Sequence, residues 1–237
     1  MQRYFCKCKD NNKFILNNDD SYHIKTVMRM NKNDLIEIIY KEELYICKIE
    51  EFNPVVASIK DKLNDYNELD IKVTICQSLV KESKMDYILQ KSTELGAYSF
   101  IPIKVKNSII KISDKDFVKK QERWQKIVKE ASEQSKRNII PKVEKLLDIK
   151  EIVNLDYDLK LICTVNEVST TLKYVLQKYK KCATMIIVIG PEGGFTSEEE
   201  RFLIEHGFLS VSLGKLVLRT ETASLCALSM INYEYER

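Results

Sequence analysis

Glycine is scarce in this chain and unevenly placed. Six glycines occur in 237 residues, and five of them, Gly190, Gly193, Gly194, Gly207 and Gly214, share one short stretch. A chain that avoids its most permissive residue elsewhere and gathers it here requires positive φ, or a close approach of main chain to something, in this region. Met185 to Ile189 is an apolar, β-branched run that predicts a buried parallel strand. It runs into Gly190-Pro-Glu-Gly-Gly194. Thr196 or Ser197, with Glu199 or Glu200 three residues on, predicts a capped helix that stops at Gly207. Leu209 to Leu213 predicts a second strand, ending at Gly214, and Thr220 begins a last helix with Leu225, Leu228 and Ile231 on one face. Two glycine-bearing strand ends this close in sequence point to a ligand, because open α/β sheets bind ligands beyond the carboxyl ends of their strands.

The same stretch restricts the ligand. It contains neither Gly-x-x-x-x-Gly-Lys-Ser/Thr nor Gly-x-Gly-x-x-Gly. Glu192 inside the loop repels a phosphate. A neutral or cationic ligand suits this loop better.

The rest of the chain alternates in character. Residues 1–67 predict short strands at 2–6, 13–16, 35–40, 44–49 and 55–59, divided by Asn- and Asp-rich turns, with one helix over 20–30; this is the pattern of a small barrel. Residues 61–70 are polar and without period, and predict a linker. From residue 71 strands alternate with helices, over 71–76, 84–95, 98–103, 118–137, 159–163 and 171–179, which predicts a doubly wound α/β domain with a parallel sheet. Trp124, Ile127, Val128 and Ala131 make the inward stripe of the longest helix. Residues 104–137 hold 11 Lys/Arg against 5 Asp/Glu, so the net charge of +3 is concentrated on one segment that a polyanion would find. Seven scattered cysteines and two histidines give no metal-ligand spacing, so no metal is expected and the thiols are expected reduced. No apolar run approaches 18 residues and the amino terminus has no signal-like segment, so the expectation is a cytoplasmic protein without membrane contact.

IGPEGGFTSEE (189–199) followed by SLGKLVLRTETA (212–223) resembles the signature of the RsmE family of SPOUT-superfamily RNA methyltransferases. KESKMDYILQKSTELGA (81–97), RWQKIVKEASEQSKR (123–137) and HIKTVMRMNKNDLIEI (23–38) are similar to further blocks of that family, so the resemblance spans nearly the whole chain. In the last block Asn33 stands where the family has glycine; asparagine is the best substitute in a left-handed turn.

The resemblance implies a PUA-like β-barrel over 1–67 that binds RNA, and a SPOUT methyltransferase domain with a trefoil knot over 71–237. It implies S-adenosylmethionine as cofactor, held among the knot loops by Thr164, by Ile189, Gly190, Pro191, Glu192, Gly193 and Gly194, and by Leu213, Gly214, Leu216 and Leu218. It implies methylation of a uridine N3 in small-subunit (16S) ribosomal RNA, on naked RNA or the assembled subunit, by a homodimer. Arg219 is the candidate for stabilising the uridine anion and Glu221 for accepting its proton. Against these stand structural readings, in which Glu221 complements a helix dipole and Arg219 pairs with it. Arg29, Lys84, Lys106, Arg123 and Arg137 are candidate RNA contacts, His23 and Trp124 structural residues. Two alternatives share the fold: a SPOUT methyltransferase with another nucleotide target, and a non-catalytic RNA-binding protein.

Overall fold

A computed structural model describes residues 1–235. Two compact units result, one of Met1–Glu68 with Ser132–Ile139, the other of Leu69–Ala131 with Ile140–Arg237.

The first unit holds β1 (Arg3–Phe5), β2 (Cys8–Asp10), β3 (Lys13–Ile15), α1 (Asn18–Tyr22), a π-helical turn (His23–Val27), β4 (Leu35–Tyr40), β5 (Glu43–Glu51) and β6 (Val56–Leu63). They make one six-stranded sheet in the order β1-β4-β5-β6-β3-β2. Only the β1–β4 pairing is parallel. Two register shifts between β5 and β6 bend the sheet into a barrel-like wrap. It encloses Tyr4, Phe14, Ile24, Ile36, Ile38, Cys47 and Ile49. Asn33 takes the left-handed conformation at φ +78°, as its place in the turn requires. His23 is structural: its Nδ1 lies 3.0 Å from the Tyr4 hydroxyl. Cys6 and Cys8 do not share a face, because the chain turns between β1 and β2; Cys6 is buried and Cys8 exposed.

Residues 132–139 join this unit through a buried ion pair. Arg137 donates through Nε to Glu68 Oε2 at 3.1 Å and again through Nη2, and both side chains are nearly fully buried. The main-chain N–H groups of Asn138 and Ile139 donate to the other Glu68 oxygen, at 2.8 and 3.1 Å. Arg3 reaches Glu37 at 2.8 Å, and Lys136 reaches the same carboxylate at 2.9 Å.

The second unit continues with β7 (Lys72–Ser78), α2 (Glu82–Glu94), β8 (Ser99–Lys104), α3 (Asp114–Gln134), β9 (Lys142–Val143), β10 (Leu147–Asp148), α4 (Ile149–Ile152), β11 (Leu159–Cys163), α5 (Leu172–Lys178), β12 (Thr184–Ile189), α6 (Ser197–Glu205), β13 (Leu209–Val211) and α7 (Thr220–Tyr235). Its seven-stranded sheet runs β10-β8-β7-β12-β11-β13, with β9 also on β8, and every pairing is parallel. β12 is buried on both faces, as its unbroken apolar run predicts. Trp124 lies in the core beneath α3. After β13 the chain continues into α7, which lies against α2, α5 and β12. α3 begins four residues before the predicted start, and β9, β10 and α4 arise where the sequence carries no readable period.

Candidate active site

A buried polar relay at the end of β7 begins with Gln77 and Ser78, which sequence reasoning passed over. Both are fully buried. Ser78 donates its hydroxyl to the Ile189 carbonyl at 3.0 Å. Gln77 donates to Thr220 Oγ1 at 3.0 Å and accepts from Ser224 Oγ at 2.8 Å. Thr220 in turn donates to the Gly190 carbonyl at 2.6 Å. Buried polar groups require partners, and each partner here lies on another element. The relay therefore pins the first turn of α7 against the end of β12. Its only sequence signal is a polar pair closing an otherwise apolar strand, which also reads as an ordinary strand end.

The glycine loop is packed as tightly. A Cβ on Gly190 would stand 3.0 Å from the Phe195 ring, so that residue is fixed by close approach. Gly194 is fixed by its φ of +65°. Asn107 Nδ2 donates to the carbonyls of Gly193 and Gly194, at 3.1 and 3.2 Å. Thr196 caps α6 with Glu199 in a reciprocal box, as predicted.

One lysine joins three elements. Lys84 Nζ, in the first turn of α2, lies 2.9 Å from Glu192 Oε1 in the loop and 3.2 Å from Glu221 Oε2 in the first turn of α7. The Lys84 ammonium holds the Glu192 carboxyl below the usual carboxylate range, and the Glu192 hydrogen bond raises Lys84. Arg219 is not the partner of Glu221. It is exposed and forms no side-chain hydrogen bond or ion pair among the described residues.

Beside this lock is a cavity of about 280 Å³, walled by the end of β11 and the run after β13. It brings together Thr164, Leu213, Gly214, Leu216 and Leu218. Gly214 is at φ +128°, a region closed to side-chain-bearing residues. The main-chain N–H groups of Leu216, Val217 and Leu218 meet no acceptor among the described residues. An apolar cavity edged by unpaired main-chain donors fits a neutral purine ring. Cys163, on the wall, is pushed up to about 12 by burial and stays a neutral thiol.

The expected residues are not all placed as the sequence suggested. Ile189 to Gly194 do not line this cavity. The carbonyls of Ile189, Gly190, Gly193 and Gly194 accept from Ser78, Thr220 and Asn107. Leu216 faces mostly outward at 81% exposure. Glu221 faces Lys84, and Lys84 itself pairs with Glu192 and Glu221 rather than standing free. Arg137 is withdrawn from the surface by Glu68. Arg123 pairs with Asp86 and Glu82, at 2.5 and 2.6 Å, so α2 neutralises part of the basic helix. Arg29 and Lys106 remain exposed.

A family described as an RNA methyltransferase domain matches residues 67–232, and one described as an RNA methyltransferase PUA domain matches residues 16–59. The ribosomal RNA small subunit methyltransferase E of Bacillus subtilis is 37% identical over 252 residues, covering 100% of this chain and 98% of its own. The chain belongs to the ribosomal RNA small subunit methyltransferase E family. The member from Mesomycoplasma hyopneumoniae is 33% identical, covering 97% of this chain and 98% of its own. The crystal structure of the member from Neisseria gonorrhoeae, bound to S-adenosyl methionine, superposes with a TM-score of 0.89 at 28% identity, covering 99% of this chain and 98% of that one. Methyltransferase E family membership thus covers both units. It accounts for the PUA-like sheet, the parallel-sheet methyltransferase domain and the order in which the chain joins them. Among the described residues no helix is long and apolar enough to cross a membrane.

Proposed function

We propose that this protein is an S-adenosylmethionine-dependent methyltransferase that methylates N3 of a uridine in small-subunit ribosomal RNA. The observation that carries the reading is the juxtaposition at 213–219: an apolar cavity with free main-chain donors, followed directly by an uncommitted arginine. Leu213 and Leu218 would hold the faces of the adenine, and the N–H groups of Leu216 to Leu218 its polar edge. Thr164 would close the far wall, fixed by its hydroxyl on Glu200 at 2.7 Å. Ile189, Gly190, Pro191, Glu192, Gly193 and Gly194 would hold the cofactor from the neighbouring loop, the negative charge of Glu192 being tolerated beside a cation. S-adenosylmethionine, when bound, supplies a methyl group already electrophilic on a sulfonium.

The protein's own task is then positional and electrostatic. Uridine N3 carries a proton at neutral pH. As that proton leaves, charge spreads to the two flanking carbonyl oxygens, and the Arg219 guanidinium, with five donors and no competing partner, would hydrogen-bond them. The nitrogen lone pair forms the new bond to carbon, the carbon–sulfur pair stays with sulfur, and the proton passes to solvent. A base methylated at N3 must be unpaired, which requires single-stranded or splayed-out RNA. Arg29 and Lys106 would contact its phosphates. Val165, Val168, Leu216 and Val217, all strongly exposed around one cavity, fit a homodimer in which a second copy covers the rim.

Mass-spectrometric mapping of modified uridines, in ribosomal RNA from cells with and without the protein, tests the target; an unchanged small-subunit profile would reject it. Arg219→Ala is expected to lose at least tenfold in turnover while binding cofactor normally, by calorimetry. Full turnover in that variant would remove Arg219 from the chemistry.

A further inference from the structure

The geometry points to Glu167 as a cofactor-binding residue that accepts hydrogen bonds from the ribose hydroxyls of S-adenosylmethionine. The inference rests on the reading of the cavity given above and adds how its sugar is held. Glu167 lies in the loop between β11 and α5 and lines that cavity. Its carboxylate is held through one oxygen. Oε1 accepts from the Ser169 N–H at 2.7 Å, the Ser169 hydroxyl at 2.6 Å and the Thr170 N–H at 2.8 Å. Oε2 meets no donor among the described residues. The Ser169 hydroxyl and the two N–H groups hold the carboxyl below the usual carboxylate range, so it is ionised at neutral pH. An ionised, unengaged carboxylate oxygen can take two further donors.

The loop that carries it is fixed at both ends. At its start Thr164 donates to Glu200 Oε1 at 2.7 Å, and Asn166 Nδ2 reaches both Glu200 oxygens at 3.2 Å. At its end the Ser212 N–H donates to the Thr170 carbonyl at 2.8 Å, and the Leu172 N–H to the Ser212 carbonyl at 2.9 Å. These bonds tie the loop to α6 and to the run after β13. The carboxylate is thus set before a ligand arrives, which lowers the cost of binding. The hydroxyls on the same lining are engaged elsewhere. Thr164 donates to Glu200, Ser212 donates to the Gly214 carbonyl at 3.2 Å, and Thr171 accepts from the Tyr174 N–H at 3.2 Å. Lys215, the other charged residue on the lining, offers donors only. Glu167 is the only carboxylate there among the described residues. A nucleoside entering a cavity with apolar walls brings two sugar O–H groups, and each needs an acceptor. An acidic side chain meets the same need in dinucleotide-binding folds, where it hydrogen-bonds the ribose.

The test is calorimetric titration of the full-length protein with S-adenosylmethionine, S-adenosylhomocysteine and the 2′,3′-dideoxy form of S-adenosylhomocysteine. Glu167→Gln keeps one oxygen for Ser169 and Thr170 and replaces the unengaged oxygen by an amide group that only donates. It is expected to weaken S-adenosylmethionine and S-adenosylhomocysteine alike, by about tenfold. The Tm of the unliganded variant is expected within about 2 °C of the parent. In the parent, removal of both ribose hydroxyls is expected to cost about tenfold in affinity. In Glu167→Gln the same removal is expected to cost about twofold or less, because both changes delete one interaction. Equal affinity of the parent for the hydroxylated and dideoxy ligands overturns the proposal without recourse to any variant. Equal losses in parent and variant also overturn it, and with a fallen Tm they assign Glu167 to the structure of its loop. A defect confined to S-adenosylmethionine overturns it by assigning the carboxylate to the sulfonium charge. Full affinity in Glu167→Gln overturns it while leaving the cavity as the cofactor site. If the parent binds neither S-adenosylmethionine nor S-adenosylhomocysteine, the reading of the cavity fails and the role of Glu167 with it.

Discussion

Among single residues, Gly214 carries the sharpest expectation. Its φ of +128° lies on the cavity wall, and a Cβ there would meet open space, so any cost of substitution is conformational rather than steric. Holding alanine in such a region costs roughly 1–3 kcal/mol. Gly214→Ala is therefore expected to weaken S-adenosylmethionine binding about tenfold or more, and to lower global stability by no more than roughly 1–3 kcal/mol. Unaltered affinity by calorimetry would show that the loop after β13 is not part of the cofactor site. The Arg219 expectation stands beside it at this scale. The two residues drew notice in the sequence for different reasons. Gly214 stood out because glycine is rare here; Arg219 stood out only through the LRTETA resemblance. Arg137 was misread, because composition counts charges and does not reveal which ones another side chain has already claimed.

At the scale of elements, α6 and the Lys84 lock lead to separate measurements. Thr196 and Glu199 close both ends of a capping box, with the Thr196 hydroxyl 3.3 Å from the Glu199 N–H. Thr196→Ala is expected to cost about 1 kcal/mol in urea unfolding; a change below a few tenths would mean that water replaces the cap without loss. The ionic lock makes its stabilisation pH-dependent. Glu192 is depressed on folding from an ordinary value of 4.5, so its contribution is present above pH 4.5 and lost as pH falls through the lower folded value. Lys84 is raised from 10.5, so its contribution is complete below pH 10.5 and disappears as pH climbs through the higher folded value. The difference in Tm between the parent and Lys84→Met is expected to be greatest between those limits and to shrink below pH 4.5. A difference independent of pH would assign the effect to packing of the lysine stem. The element boundaries themselves were readable where caps or apolar runs mark them, as at β12 and α6. They were not readable over 138–158, where β9, β10 and α4 are too short to show a period.

On the scale of the whole molecule, the chain's division into two units is not a single cut. Ser132–Ile139 folds with the amino-terminal unit although it is distant in sequence, and the buried Arg137–Glu68 pair is the reason. Removing one member of a buried pair strands the other, at a cost of about 3–5 kcal/mol. Arg137→Met is expected to lower stability by about 3 kcal/mol in denaturant, and Arg137→Met/Glu68→Leu to recover most of it. A single variant as stable as the parent would show that the pair does not hold this segment. The sequence by itself determined the two fold classes, the parallel sheet and the family. Each of these follows from local properties: β-branched runs, capping residues, scarce glycine and motif order. Tertiary structure alone decided which of the candidate residues act together. Hydrogen bonding tied the glycine loop to Ser78, Asn107 and Thr220, an ion pair withdrew Arg137, and Lys84 came to lie between Glu192 and Glu221. Such pairings join residues as far apart as Gln77 and Ser224. No local pattern encodes them, because partner choice depends on what the folded chain brings within 3 or 4 Å.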